Sequence, residues 1–477
     1  MTQQTTQSPT PASQAIHQLA PRIARGELSP LDVVGETLTR IGQLNDKLHA
    51  YVSVYGEEAQ GAAEAAGGMI TAGHYLGPLH GLPVAVKDLC EMEGRVTTMG
   101  SRVWEARRSS LTATVVERLR AAGMVIVGKT HMVEFALGGW GRNAHMGAPW
   151  NPWDMDTHRV AGGSSSGSGV AVAAGLAAAA LGSDTGGSVR IPASFCGLVG
   201  LKPTHGRISN HGVLPLCAAQ DSIGPMTRSV QDCAWLFAAL MGPDPRDPDT
   251  MAAPHLDPLP GLRKGVAGLR IGMLPTEMLH AAWPLHPEVE AHYQAAGRVL
   301  ADLGARVEEA RPSVDLLNVQ REAGVLMATE GYQIHREYIH DESLPFDPAV
   351  RGRLLAGREV SGADYVAAWK AREAMRMEMA AWMADYDALL SPTTPIPAPP
   401  LTEADEAILP HSVFTRPANY ARLCALAVPM GRTEGGLPTS LQVMGAPWRE
   451  DVLLRIGFAF EQALGLAPLA APLAAAP

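Results

Sequence analysis

One large α/β domain is the fold class this sequence predicts. Helical and strand patterns alternate along the chain, the composition suits a deep core, and no segment recurs at a fixed period. Length alone would allow about three domains. With 46% hydrophobic and 18% charged residues across 477 positions, nothing in the composition forces that division.

Taken in order, residues 1–12 are polar with Pro and Thr and are expected to form a disordered tail, with the domain running from 13 to 465. Helical patterning starts near Ala12. Ser29 before Pro30 reads as an N-cap with proline at the first helical position, opening a helix through Asn45. LPVAVKD (82–88) reads as a strand. Thr112 to Ala122 has helical spacing, Gly123 stops it, and MVIV (124–127) supplies a β-branched strand. Residues 162–181 hold a Gly/Ser turn followed by an alanine-rich stretch expected to pack as a core helix. IGPMTRSVQDCAWLFAALMG (223–242) reads as an amphipathic helix, and residues 242–262 as a proline-rich surface connection. LRIGML (269–274) is a strand. A helical excursion over 285–385 contains helices at Pro287–Leu303 and Gly362–Asp385. DALLSPTTPIPAPP leaves a strand for a proline loop, and GLPTSLQVMG precedes a closing helix, Asp451 to Leu464. The Ala/Pro-rich residues 466–477 read as a second tail.

Charge and composition exclude several classes of function. The net charge of −10, with no clustered Lys and Arg, argues against nucleic-acid binding through a basic face. The longest apolar run, Val170 to Leu181, is too short to span a bilayer, and the N-terminus lacks a signal-peptide pattern, so a cytoplasmic location without membrane association is expected. Five cysteines (Cys90, Cys196, Cys217, Cys233, Cys424) include no CxxC pair and are expected to be buried thiols.

The chemistry concentrates in GGSSSGSGVAVAAGLAAAALGSDTGGS (162–188) and in Lys87 of GLPVAVKD. Serine hydroxyls need a base to become nucleophiles, glycine admits backbone N–H groups close to an oxyanion, and a desolvated lysine can accept a proton. The residues alone leave Ser164, Ser165 and Ser166 open as the working serine. Lys129 and Lys202, which also follow apolar strands, compete with Lys87.

Two pattern matches are rejected. GMVIVGKT (123–130) fits the phosphate-loop pattern, but a helix precedes its first glycine and its intervening residues are themselves a strand. GSSSG (163–167) fits GxSxG, which would make Ser165 an elbow nucleophile served by His205, His211 or His411, yet the preceding strand is weak. His131 and Glu134 form only HxxE, so no metal is expected.

GLPVAVKD, GKTHMVEFALG, NPWD, the serine-glycine run with VRIPASFCGLVGLKPT, and DSIGPMTRS occur in the order of the amidase signature family, which the chain resembles from about Gly81 to Asp232 and more weakly to Glu461. That resemblance implies a central twisted mixed β-sheet covered by helices on both faces and a cofactor-free serine amidohydrolase. It implies Lys87 as general base, Ser164 as a bridging serine after a cis peptide, and Ser188 as nucleophile. Backbone N–H groups of Thr185, Gly186, Gly187 and Ser188 would form the oxyanion hole, with a supporting hydroxyl from Ser165. A lysine acting as base near neutral pH needs its pKa lowered from about 10.4, at a cost of roughly 4 kcal/mol.

Met99, Trp140 and Asn143 are the expected pocket-lining residues. Substrates are expected to be small or aryl amides, with carbamates and esters as further candidates, and the assembly a monomer or homodimer. One alternative is the A subunit of a glutamyl-tRNA amidotransferase, whose characteristic central segment is not recognisable in RGRLLAGREVSGADYVAAW. The other is a non-catalytic scaffold of the same fold. Arg422, Cys424 and Ser440 depart from the residues many members carry.

Overall fold

Alternation along Pro83–Lys87 puts Val84 and Val86 in one buried core and Ala85 in another. Ala179–Asp184 repeats the pattern, with Ala179 and Leu181 on the first side and Ala180 on the second. Both faces of the sheet are therefore covered. The helix Pro30–Leu48 and the helix Ser166–Ala173 cover one face, and helices Thr114–Ala121, Val230–Leu240 and Glu450–Leu464 the other. The computed structural model describes residues 10–406, 408 and 410–465, so the C-terminal tail and most of the N-terminal one lie outside the described residues.

Eleven strands in this region form one sheet. In chain order they are β1 Tyr51–Val54, β2 Pro83–Lys87, β3 Val125–Thr130, β4 Ala179–Asp184, β5 Val199–Lys202, β6 Ser222–Thr227, β7 Arg270–Met273, β8 Arg306–Glu309, β9 Ala388–Pro392, β10 Cys424–Arg432 and β11 Pro438–Gly445. Their order across the sheet is β1-β3-β2-β4-β6-β5-β10-β11-β9-β7-β8. β2 lies parallel to β3 and β4, β7 is parallel to β8 and β9, and antiparallel pairs join these two groups. The sheet is mixed, as expected.

Several elements fall where the sequence places them. Ser29 caps the helix Pro30–Leu48 by accepting the Asp32 N–H at 3.0 Å. Ser29→Ala should lower the free energy of unfolding by about 1 kcal/mol in a urea titration, since the Asp32 N–H loses its partner. The closing helix runs over Glu450–Leu464, and the two helices of the excursion over Pro287–Asp302 and Gly362–Trp382.

Four readings need correction. The alanine-rich stretch is not one helix: Ser166–Ala173 is helical, Gly175 turns with φ +68°, and β4 follows. Burial on both faces overrides alanine's helical preference there. Within residues 223–242, the first five belong to β6, and the helix begins only at Val230, capped by Ser229. The helical excursion contains β8, which pairs with β7. The N-terminal boundary also moves, because Ala12 is buried within a 3-10 turn, Pro11–Ser13.

GMVIVGKT holds β3, where Gly128 faces the Ser53 carbonyl so closely that a Cβ would stand 2.2 Å from it. That residue serves strand pairing with β1 and leaves no phosphate loop. All five cysteines are buried free thiols. Among the described residues no helix is long and apolar enough to cross a membrane.

Candidate active site

β2 and β4 run parallel and end side by side, which brings Lys87 to the mouth of the second serine-glycine turn. Its Nζ lies 2.7 Å from Ser164 Oγ and 2.8 Å from Ser183 Oγ. The side chain is fully buried, and burial pushes the amine down from 10.5 to about 7, against the weaker opposing pull of Cys90, Asp221 and Asp184. No carboxylate hydrogen-bonds it. A neutral amine carries two N–H groups and one lone pair, so with Ser183 accepting an N–H the lone pair is free for the Ser164 proton.

The rival lysines are engaged elsewhere. Lys129 pairs with Asp88 at 3.2 Å and also donates to Thr97 Oγ1. Lys202, pushed by burial down to about 8, donates to the Pro203 carbonyl at 2.8 Å. Neither bonds a serine of the two turns.

The first turn enters through a cis peptide between Gly163 and Ser164. Ser165 then donates its N–H to the Ser188 carbonyl at 3.3 Å, so the two serine-glycine turns lie against each other. Its hydroxyl exchanges hydrogen bonds with both backbone groups of Ser183, each at 3.2 Å, and is fully buried. Ser165 is thus a brace between turn and strand. The elbow reading finds no histidine partner for it among the described residues: its hydroxyl meets only Ser183, not His211, while His205 bonds the Asp221 carbonyl and Asp249, His411 packs at a tilt against Trp140, and His131 bonds Ser166 at 3.1 Å.

The second turn, Thr185–Ser188, is shaped by Asp184 at the end of β4. Its Oδ1 accepts the Gly187 N–H at 2.7 Å, and its Oδ2 the N–H groups of Val189 and Arg190 at 3.2 and 3.4 Å. The oxyanion expectation is corrected here, because the Gly187 N–H is already committed. Among the described residues no partner takes the N–H of Gly186 or Ser188. Gly187 itself must be glycine, with φ +130° and the Thr415 hydroxyl 2.2 Å from where a Cβ would stand.

Arg190 completes this frame. Fully buried, it holds Asp184 through Nη2 at 2.8 Å and Nε at 3.0 Å. Its remaining donors reach the Thr415 carbonyl at 2.7 Å, Gln442 Oε1 at 2.6 Å and Asn419 Oδ1 at 2.7 Å. The guanidinium and Asn419 hold the Asp184 carboxyl down to about 2, overcoming burial. Thr415 also donates its hydroxyl to the Gly186 carbonyl at 2.7 Å, and Thr185 donates to Asp221 at 2.5 Å.

Sequence reasoning missed Ser183, Asp184, Arg190, Thr415 and Asn419. The first two stand inside the serine-glycine run, but only their place at the end of a parallel strand reveals their use. The others act from later in the chain, with no local pattern to mark them.

A pocket of about 30 Å³ at Ser188 adjoins a cavity of about 570 Å³, the two sharing Leu137 and Arg353. Ser188 itself is 9% exposed. Asn143 lines the larger cavity, although its amide is held by the Gly100 and Met132 carbonyls. Met99 and Trp140 line neither. Met99 packs in the core, and the Trp140 indole N–H donates to the Asp405 carbonyl. Among the described residues no group of three His, Cys, Asp or Glu could hold a metal ion.

The family described as Amidase matches residues 32–454. The A subunit of the glutamyl-tRNA(Gln) amidotransferase from Geobacter metallireducens is 37% identical over 474 residues, covering 94% of this chain and 96% of that protein. A solved chain from a vestigial protein complex, reported for the origins of an s-triazine catabolic enzyme, superposes with a TM-score of 0.90 at 35% identity, covering 96% of this chain and 100% of its own. A peptide amidase bound to the inhibitor chymostatin superposes at 0.83 with 30% identity, covering 95% of this chain and 98% of its own.

Proposed function

The chain belongs to the amidase family, and on that premise we propose that it is a serine amidohydrolase cleaving small amides through an acyl-enzyme on Ser188. The observation that carries this reading is the buried amine of Lys87, held near neutral pH in its basic form and placed 2.7 Å from Ser164 Oγ. Lys87 takes the Ser164 proton, Ser164 takes that of Ser188, and Ser188 Oγ attacks the carbonyl carbon. The N–H groups of Gly186 and Ser188, left without partners, receive the oxyanion, and Thr185 stands beside them. The protons return along the same path to the leaving nitrogen, the C–N bond breaks, and water attacks the ester to release the acid. Carbamates and esters, which pass through similar tetrahedral intermediates, are further substrates of the same machinery.

Incubation with a sulfonyl fluoride should add one adduct by intact mass, mapping to Ser188. Ser188→Ala should remove both the adduct and at least about four orders of magnitude of turnover. An adduct on Ser165, or turnover persisting in Ser188→Ala, would sink the reading.

The full-length similarity to one chain of an amidotransferase supports a second reading, in which this protein releases ammonia from glutamine for a partner protein. Under it, the chain alone would be inert on simple amides and would act on glutamine only with a copurifying partner. Amide hydrolysis by the isolated chain decides for the first.

A further inference from the structure

Arg416 opens the short helix Arg416–Tyr420, directly after Thr415, which clamps the Gly186 carbonyl. Its guanidinium lies over the Ser188 turn: a Cβ on Gly186 would stand 3.3 Å from Arg416 Nε. Arg416 and Ser188 line the same small pocket, together with Arg353 and His411.

Nothing among the described residues pairs with Arg416, a condition it shares with Arg422, but of the two only Arg416 lines the Ser188 pocket. Its Nε is buried without a hydrogen-bond partner, and no carbonyl or carboxylate there accepts any of its five N–H groups. The two most deeply buried arginines, by contrast, are engaged. Arg190 meets Asp184, Asn419, Gln442 and Thr415, and Arg372 meets the carbonyls of Tyr420 and Ala219.

The charges around Arg416 make the deficit larger. Burial pushes its guanidinium down to about 10, and the charged neighbour it feels is Arg353, of like sign. Arg353 is itself turned to the Leu137 carbonyl at 3.0 Å and to Glu406 at 3.6 Å. His411, pushed down to about 3 by burial, is neutral and supplies no counter-charge. A half-buried guanidinium without an anion keeps part of its desolvation cost, and a planar carboxylate is the group its fork of donors fits.

We infer that Arg416 is the anion anchor of this active site, so that the preferred substrates are short amides carrying a carboxylate within a few bonds of the scissile carbonyl, such as monoamides of small dicarboxylic acids. The position fits, since Gly186 is two residues from Ser188 and lies directly beneath the guanidinium. The substrate's carboxylate forms the ion pair that the protein leaves unmade, and it fixes the amide carbonyl over the serine. Neutral amides of the same shape bind against an uncompensated cation and are poorer substrates. The inference rests on the acyl-enzyme reading above.

The test compares succinamate with its neutral isostere succinamide. Wild-type kcat/KM should favour succinamate by about tenfold to a hundredfold, the range of a charge-assisted contact. Arg416→Met should lower that ratio at least about tenfold, and Arg416→Lys should restore part of it, because lysine keeps the charge but not the fork. Should the Met variant fail to fold, the wild type alone decides. Succinate should slow sulfonyl fluoride labelling of Ser188, and succinamide at the same concentration should not. Equal kcat/KM for the two amides, with equal protection by the two ligands, would overturn the anchor. Labelling of Ser188 without ligand separates the failures: if Ser188 is not labelled, the acyl-enzyme reading itself falls, whereas labelling without charge preference removes only Arg416.

Discussion

Replacing Lys87 by methionine should lower amide turnover by about four orders of magnitude and yet make the protein more stable at neutral pH. The two effects share one cause. Burial holds the amine at about 7 in the folded chain against 10.5 outside it, a difference worth about 5 kcal/mol. Between those two values the unfolded chain binds a proton that the folded chain does not, so stability falls as pH drops from about 10.5 to 7 and stays at its minimum below. Methionine has similar length and no charge, so the penalty disappears. Ser164 and Ser183 each lose a partner, which returns about 1–3 kcal/mol in total. Urea titrations should thus show a net gain of about 2 kcal/mol at pH 7 that turns into a loss of about 1–3 kcal/mol above about pH 10.5, where only the lost hydrogen bonds remain. In the active protein, kcat/KM should rise with pH up to about 7 and level off above it, since only the neutral amine accepts the Ser164 proton. Turnover in Lys87→Met within tenfold of the wild type would remove Lys87 from the role of base.

Cutting the Asp184–Arg190 pair should have the largest effect on stability. Asp184→Ala leaves a fully buried guanidinium without its carboxylate and releases the N–H groups of Gly187, Val189 and Arg190. Breaking one side of such a pair costs about 3–5 kcal/mol. Activity should fall with stability, because the Ser188 turn loses the carboxylate that shapes it. The sign with pH is opposite to that of Lys87. The Asp184 carboxyl is lowered from 3.8 to about 2 on folding, so its contribution is complete above about 3.8 and is lost as pH falls through about 2. Asp184→Leu combined with Arg190→Met should recover part of the loss in unfolding titrations, since an apolar pair leaves no charge stranded. A double variant no better than Asp184→Ala would show that the backbone contacts, and not the stranded charge, dominate.

The parts of this molecule that can be read from sequence are those whose determinants are local. Ser29 and Pro30 announce their helix because a cap and a fixed φ act within one turn. The two serine-glycine turns are visible because their unusual residues stand within one short run, and Lys87, 77 positions before Ser164, is visible because lysine is rare in this chain and follows an apolar strand. The misreadings have a different source. Ala179 and Ala180 sit in a strand because neighbouring strands surround them, and nothing in the run AAAAL carries that information. Pocket residues fail for the same reason. Met99 and Trp140 flank the signature motifs, yet the wall beside Ser188 is built partly from His411, Ser412 and Arg416, more than 200 positions later.

That distance bears on how the protein comes into being. A ribosome delivers Ser188 and its turn long before Thr415, Asn419 and Gln442, the residues that satisfy Arg190 and clamp Gly186. Until those arrive, Arg190 has a carboxylate but no roof, and β5 lacks the neighbour, β10, that closes the middle of the sheet. The nascent chain therefore carries Ser188 in an unfinished setting. On the acyl-enzyme reading proposed above, the ability to acylate Ser188 arrives with the last quarter of synthesis and is withheld from shorter products of translation.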